Sequence, residues 1–71
     1  MNTLSLWTVY DHPTDYPDSY VARRFEVPGG PTDDVLETET LEALRAEFER
    51  RGLVCLPRAS GDDPRIIETW L

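Results

Sequence analysis

Apolar side chains recur at helical spacing in one stretch of the chain, residues 41–51. The stripe that would face a core is formed by Leu41, Leu44 and Phe48. Nearly every other position in the stretch is a good helix former, and Thr38 or Thr40 can cap its first turn. Gly52 suits the left-handed position that ends a helix, where the following residue, Leu53, can contact Phe48. The pattern therefore predicts one amphipathic helix.

Four other runs have the composition of β-strands, rich in β-branched, aromatic and other apolar residues. They span residues 4–10, 20–27, 53–56 and 65–71. The acidic segment 32–38 is expected to form a turn before the helix, and residues 59–64 a loop. This order predicts a small α+β fold, a β-β-α-β-β domain with a mainly antiparallel sheet and one helix packed on one face. All 71 residues belong to this single domain, residues 1–71.

Alternation along the strands predicts which side chains the helix covers. The clearest inward set on the second strand is Val21, Phe25 and Val27. One helix covers one face of the sheet, which leaves apolar side chains uncovered on the other, among them Leu6, Tyr10 and Tyr20. This surplus predicts a protein partner, either another protein or a second copy in a homodimer. The strand order 2-1-4-3 and a pairing of the second strand with the third are both compatible with the pattern.

Charge and composition narrow the class of partner. The chain has a net charge of −7, from 14 acidic and 7 basic residues, and every basic residue is arginine. Such acidity disfavours binding to nucleic acid or to anionic membranes, because phosphate contacts need a positive surface. No apolar run approaches the length of a membrane helix, and the single cysteine, Cys55, excludes an internal disulfide. We therefore expect a cytoplasmic protein.

Residues 11–19 concentrate the polar chemistry of the chain. The segment holds the only histidine, three aspartates, two prolines and a tyrosine. His12 with Asp11, Asp15 and Asp18 has the donor types of a zinc, manganese or iron site, but the spacing does not match a closed ligand set. The alternative is that the aspartates cap turns and His12 packs on an aromatic ring or meets a carboxylate. We therefore predict no metal at this loop.

The same histidine has the titration range of a general base, which Asp11 or Asp15 would orient. A nucleophile is also required, and the candidates are Ser19, Ser60 and Cys55. None of them lies in a nucleophile motif, and a thiol in an apolar strand is usually inert. We therefore predict no catalytic residue, no cofactor and no enzymatic activity.

The doublet Arg23-Arg24 lies near three tyrosines of the first two strands and their loop, Tyr10, Tyr16 and Tyr20. Arginine beside aromatic rings can hold a phosphate, a carboxylate or a stacked base. The alternative, which we favour, is that both arginines pair with acidic side chains across the sheet. The candidate partners are Asp15, Asp18 and Glu68.

Two segments resemble those of short bacterial proteins whose activity is unknown. They are YDHPTDYP at residues 10–17 and DDPRIIETW at residues 62–70. The resemblance implies a bacterial or phage source and a cytoplasmic setting, and it assigns no catalytic or binding residue.

These patterns favour three functions. The first is a small acidic, non-enzymatic protein-interaction domain that self-associates or binds another protein. Its contact residues would be Asp11, His12, Asp15, Tyr16, Arg23 and Arg24. The second is a small-ligand or metal-binding protein that uses the loop from Asp11 to Ser19. The third is an acidic inhibitor or regulator of a nucleic-acid-binding protein, which would present the acidic segment 33–42 to a basic partner.

Overall fold

A five-stranded antiparallel sheet with one helix on one face is formed by the residues that the computed structural model describes, 3–58, 61 and 63–71. The elements are β1 (Leu4–Asp11), β2 (Tyr20–Val27), β3 (Gly30–Thr38), α1 (Leu41–Arg50), β4 (Cys55–Pro57) and β5 (Ile66–Trp70). The predicted α+β fold, with a helix on one face of an antiparallel sheet, is confirmed. Part of the predicted loop 59–64 lies outside the described residues.

The strands lie side by side in the order β3-β2-β1-β5-β4. The four predicted strands therefore have the order 2-1-4-3, and the alternative pairing of the second with the third is wrong. Neighbouring strands are antiparallel throughout. β1 is the central strand, while β3 and β4 form the two edges.

β3 is a strand where the acidic sequence predicted a turn. Gly29 and Gly30 have φ angles of 140° and 94°, so the chain reverses tightly after β2. The acidic segment then pairs with β2, with Leu36 opposite Ala22. Asp and Glu disfavour strands in general, but on an edge their charges discourage further strands from adding to the sheet. Pro31 is tolerated there because an edge strand has one unpaired side.

The helix begins and ends as its sequence predicts. The Thr40 side chain accepts a hydrogen bond from the Ala43 backbone N–H at 3.2 Å and caps the first turn. At the other end, Leu53 N–H donates to Phe48 O and Gly52 N–H to Glu49 O, both at 3.0 Å. These two bonds form a Schellman motif, in which Gly52 adopts the left-handed conformation with φ 78°.

Replacing Gly52 with alanine is expected to lower the free energy of unfolding by about 1–2 kcal/mol, the cost of the left-handed conformation for an L side chain. An added Cβ would meet nothing within 4 Å, so the loss comes from the backbone conformation and not from a clash. Gly52→Asn should lose less, because asparagine tolerates this conformation. Urea denaturation at an unchanged m-value would measure both. A Gly52→Ala variant as stable as the wild type would contradict the assignment.

The core lies between α1 and the sheet. It consists of buried side chains from three strands and the helix: Trp7, Val9, Ala22, Leu44, Phe48 and Trp70. The Phe48 ring is completely buried, and its centroid lies 5.5 Å from the ring centroids of both Trp7 and Trp70. The Arg51 guanidinium lies over the Trp7 ring, 5.6 Å from its centroid. Three aromatic rings therefore form the centre of this core.

The face of β2 that contacts the helix is not the one that its apolar pattern predicts. Trp7 and Val9 of β1 face α1, and they are paired with Arg24 and Ala22 of β2. Directly opposite residues share a face, so Val21, Phe25 and Val27 lie on the face away from α1. The predicted inward set is wrong for Phe25 and Val27, which are half-buried and exposed, whereas Val21 is completely buried. The large indole of Trp7 decides which face the helix covers, and Arg24 is accommodated there because two carboxylates pair with it.

The helix found in the described part of the chain has ten residues. It lacks both the length and the apolar character that crossing a membrane requires.

Candidate functional site

The face of the sheet opposite α1, called the open face, exposes large apolar side chains. Among the described residues, the large apolar side chains that are exposed to solvent all lie on this face. Their exposed fractions are 49% for Leu4, 52% for Val27, 62% for Val54 and 46% for Leu56. Leu4 and Val27 are directly opposite each other on β1 and β2. Cys55 faces the helix side, as its partner on β5 does, and this turns Val54 and Leu56 to the open face.

These side chains are neighbours across the sheet. Leu6 and Phe25, both half-buried, are paired beside Leu4 and Val27. Leu71 joins them to Val54, with which it exchanges two backbone hydrogen bonds of 2.7 and 3.0 Å. The continuous surface is called the apolar patch and consists of Leu4, Leu6, Phe25, Val27, Val54, Leu56 and the linking residue Leu71.

The loop between β1 and β2 folds back over the other end of the open face. The Arg23 guanidinium, on this face, donates to the Asp15 carboxylate and lies 5.9 Å from the centroid of the Tyr16 ring. Val21, two positions earlier on the same face, is completely buried, and Pro13 at the start of the loop is buried as well. The loop therefore covers one end of the open face and leaves the apolar patch uncovered at the other.

The predicted contact residues fall into three groups. Asp15, Tyr16 and Arg23 come together on the open face. Asp11 and His12 form a second group: the imidazole Nδ1 pairs with the Asp11 carboxylate, and the ring meets the Tyr20 ring edge-on at 4.8 Å. His12 has a left-handed backbone with φ 47°. The packing of His12 on an aromatic ring matches the alternative interpretation of this loop.

Arg24 forms the third group, on the helix side of the sheet. Its guanidinium donates to the carboxylates of Glu26 and Asp34, each at 2.6 Å. The hydrogen bond to Glu26, followed by that to Asp34, raises the pKa of Arg24 above its usual value. Both arginines of the doublet therefore pair with acidic side chains, but on opposite faces of the sheet.

Sequence reasoning missed the partner of Glu68, a buried carboxylate with 5% of its side chain exposed. Arg45 of α1 donates to it through Nε at 3.2 and 3.1 Å and through Nη2 at 2.7 Å, and the Trp70 indole donates at 2.7 Å. Burial, the largest influence, raises the pKa of Glu68, but the hydrogen bonds from Arg45 and Trp70 outweigh it and hold the pKa below the usual value. A single carboxylate within an apolar strand was the signal available in the sequence.

Two of the three candidate nucleophiles, Ser19 and Cys55, are in surroundings that do not favour catalysis. The Ser19 hydroxyl donates to the Glu37 carboxylate at 2.7 Å, so its proton is already engaged with a group other than His12. Burial raises the pKa of the Cys55 thiol, and the Glu68 carboxylate raises it further, which makes the thiolate scarce at neutral pH. Ser60 lies outside the described residues.

A shallow cavity of about 280 Å³ lies at the end of β3. Its lining is polar and consists of Ser19, Glu37, Thr38 and Glu39. Within residues 3–58, 61 and 63–71, no three His, Cys, Asp or Glu side chains converge in a way that would hold a metal ion. The cavity therefore has two carboxylates but no ligand set.

Comparison with known proteins adds no relative from which a function could be transferred. No protein-family model, no curated protein and no solved structure matches this chain.

Proposed function

We propose that this chain is a small acidic, non-enzymatic domain that binds another protein through the apolar patch of its open face. One observation carries the proposal: the large exposed apolar side chains gather on one face of the sheet. Single exposed apolar residues are ordinary, whereas a continuous patch with a polar border is typical of an interaction site. Covering such a patch is favourable by about 25 cal/mol per Å² of apolar surface removed from water.

The cluster of Asp15, Tyr16 and Arg23 supplies a polar border to the patch. Arg23 is opposite Thr8 and lies one same-face position from Phe25, a member of the patch. Tyrosine and arginine are enriched at protein interfaces, where they combine apolar contact with hydrogen bonding. Three of the six predicted contact residues therefore belong to the proposed surface, and the other three lie outside it.

The alternative of a small-ligand or metal site in the loop has less support. Two of the three carboxylates that such a site would use, Asp11 and Asp15, are engaged with His12 and Arg23. Enzymatic activity also has less support than protein binding, since the hydroxyl of Ser19, a candidate nucleophile, is engaged with Glu37. The open face, by contrast, exposes large apolar side chains that no other part of the described chain covers.

Capture from host-cell extract would test the proposal with a Leu4→Gln/Leu56→Gln variant beside the wild type. Proteins that bind the patch should bind the variant at least about tenfold more weakly, because each buried leucine contributes about 1.5–3 kcal/mol. Both side chains are close to half exposed, 49% and 46%, so their replacement should leave the fold intact. Circular dichroism would verify that.

Cys55→Ser provides the matched control. Cys55 is an exposed residue on the same strand as Leu56, but its side chain lies on the opposite side of the sheet. Capture by this variant should equal capture by the wild type. If all three forms captured the same proteins equally, and light scattering showed only monomer, the proposed surface would be wrong.

A further inference from the structure

The loop between β1 and β2 closes over a buried valine on the open face. Val21 lies on this face, opposite Tyr10 of β1, whereas α1 packs against the other side of the sheet. Val21 is nevertheless completely buried, and Pro13 of the loop is buried with it. Ile66, the partner of Tyr10 on β5, shares the same face. The loop therefore covers the Val21 end of a row of three apolar side chains.

This covered row continues the open face beyond the apolar patch. Along β1 and β2 the pairs that share the face are, in order, Leu6–Phe25 of the patch, Thr8–Arg23 and Tyr10–Val21. Successive rows are about 6.7 Å apart. A contact that starts on the patch and includes the covered row must therefore cross Arg23, which is the residue that pairs with Asp15 of the loop.

The backbone of the loop is closed on itself. Tyr16 N–H donates to Pro13 O at 2.9 Å, and Ser19 N–H donates to Tyr16 O at 3.2 Å. At the base, His12 N–H donates to Ser19 O at 3.1 Å. No backbone hydrogen bond joins residues 13–18 to the described parts of the sheet or helix. Lifting this segment from the sheet would therefore leave all of its backbone hydrogen bonds intact.

Two polar contacts of exposed side chains fasten the loop to the sheet. The Asp15 carboxylate, 56% exposed, accepts from the Arg23 guanidinium, 33% exposed, and the Tyr16 ring lies 5.9 Å from the same guanidinium. The Thr14 hydroxyl accepts from the Arg65 guanidinium at 2.5 Å. An exposed ion pair such as the first changes an equilibrium by about fivefold or less. This fastening is therefore weak enough to break without unfolding the sheet.

We propose that residues 12–19 form a lid that opens about His12 and Ser19 and controls how much of the open face is available for binding. Its role in binding rests on the function proposed above. Burial of Pro13 and Val21 holds the lid closed in most molecules, so the open form is a minor state. A partner that covers both the patch and the row beneath the lid binds the open form better and raises its population.

Thiol labelling of the full chain measures the opening directly. Val21→Cys is combined with Cys55→Ser, which removes the single native cysteine, and the parent carrying both changes is treated with an aromatic disulfide reagent. Opening of the lid exposes little surface, so the labelling rate should depend only weakly on urea; global unfolding would show the full equilibrium m-value. If Val21→Cys lowers stability, relaxation dispersion of the Val21 methyl signals in the unsubstituted chain measures the same exchange.

Two Asp→Asn variants of the same loop test the fastening. Asp15→Asn removes the ion pair with Arg23 and should raise the labelling rate about threefold. Salt at about 1 M should have the same effect on the parent and little further effect on Asp15→Asn, because the Debye length falls to about 3 Å. Asp18→Asn is the matched control, since this exposed carboxylate has no ion pair with the described residues. It should change the rate by less than about 1.5-fold.

The dye anilinonaphthalene sulfonate connects the lid to the open face, because it binds exposed apolar surface. Its fluorescence should be higher with Asp15→Asn than with Asp18→Asn, in proportion to the labelling rates. A dye signal equal in the two variants, despite faster labelling of Asp15→Asn, would overturn the control of the open face by the lid.

The remaining results separate the lid from the proposed function. Labelling that follows global unfolding, or that is equal in Asp15→Asn and Asp18→Asn, would overturn the lid and leave the apolar patch as a binding surface. Unchanged capture by Leu4→Gln/Leu56→Gln would remove the proposed function, while labelling would still show whether the lid opens.

Discussion

Replacing Phe48 with alanine is expected to lower the free energy of unfolding by about 3–5 kcal/mol, the cost of deleting a large aromatic side chain from a core. The ring is completely buried and lies 5.5 Å from both indole rings. A chain of 71 residues has a total stability of roughly 4–11 kcal/mol. The variant should therefore unfold at a much lower urea concentration, which tryptophan fluorescence and near-ultraviolet circular dichroism would measure.

Two controls separate packing from general sensitivity to substitution. Phe48→Leu retains most of the apolar volume and should lose less than about 1.5 kcal/mol. Val54→Ala shortens a side chain that is 62% exposed and should stay within about 0.5 kcal/mol of the wild type. Equal urea midpoints for Phe48→Ala and Val54→Ala would show that the three packed aromatic rings are not the centre of the core.

The parts of the fold that depend on local chemistry could be predicted from the sequence. The helix is one: its apolar stripe, the Thr40 cap and the Gly52 ending all act within a few residues, so neighbours in sequence are neighbours in space. β1, β2 and β5 are also recognisable, because their composition suits a pleated, half-buried surface.

The parts of the fold that depend on pairing between strands distant in sequence could not be predicted. β3 is too acidic to be recognised as a strand by itself, and it forms because β2 offers an unpaired edge after a tight glycine turn. The face that β2 turns to the helix is decided by its partner strand, since Trp7 fixes the orientation of Arg24 and Ala22. Alternation within β2 alone favoured the opposite choice.

The candidate site also has parts that could be predicted from the sequence and parts that could not. The pairing of Arg23 with Asp15 was among those expected, because a short loop returns the carboxylate to the neighbouring strand. The apolar patch required the strand order, since its members come from β1, β2 and the residues around β4. Glu68 was a candidate partner for the arginine doublet, but α1 brings Arg45 closer to it.

Replacing Arg45 with methionine is expected to be the most damaging change of a charged residue on α1. Removing one partner of a buried ion pair costs about 3–5 kcal/mol, because the other charge is left unpaired in the interior. We expect the lower end of that range, since 43% of the Arg45 side chain is exposed and water can replace part of its contact. Of the side chains that donate hydrogen bonds to Glu68, only the Trp70 indole would remain. Urea denaturation near neutral pH would measure the loss.

The same variant should reverse the pH dependence that Glu68 contributes. In the wild type its folded pKa is lowered. The stabilisation that Glu68 contributes is therefore fully present above the ordinary glutamate pKa of about 4.3. It is lost as the pH falls through the lowered pKa of Glu68 in the folded state. In Arg45→Met, burial acts with little opposition and should raise the pKa of Glu68 above its ordinary value. The group then costs stability as pH rises from about 4.3 towards the raised pKa.

Two further variants make the result specific to this pair. Arg45→Met/Glu68→Gln removes the unpaired charge and should recover at least about 1 kcal/mol relative to Arg45→Met, with no pH dependence left from position 68. Arg50→Met removes an arginine from the same helix whose side chain is 72% exposed, and it should change stability by less than about 1 kcal/mol. Arg45→Met and Arg50→Met would then differ both in the size of the loss and in its pH slope. Identical behaviour of the two would mean that the contact between Arg45 and Glu68 does not hold α1 on the sheet.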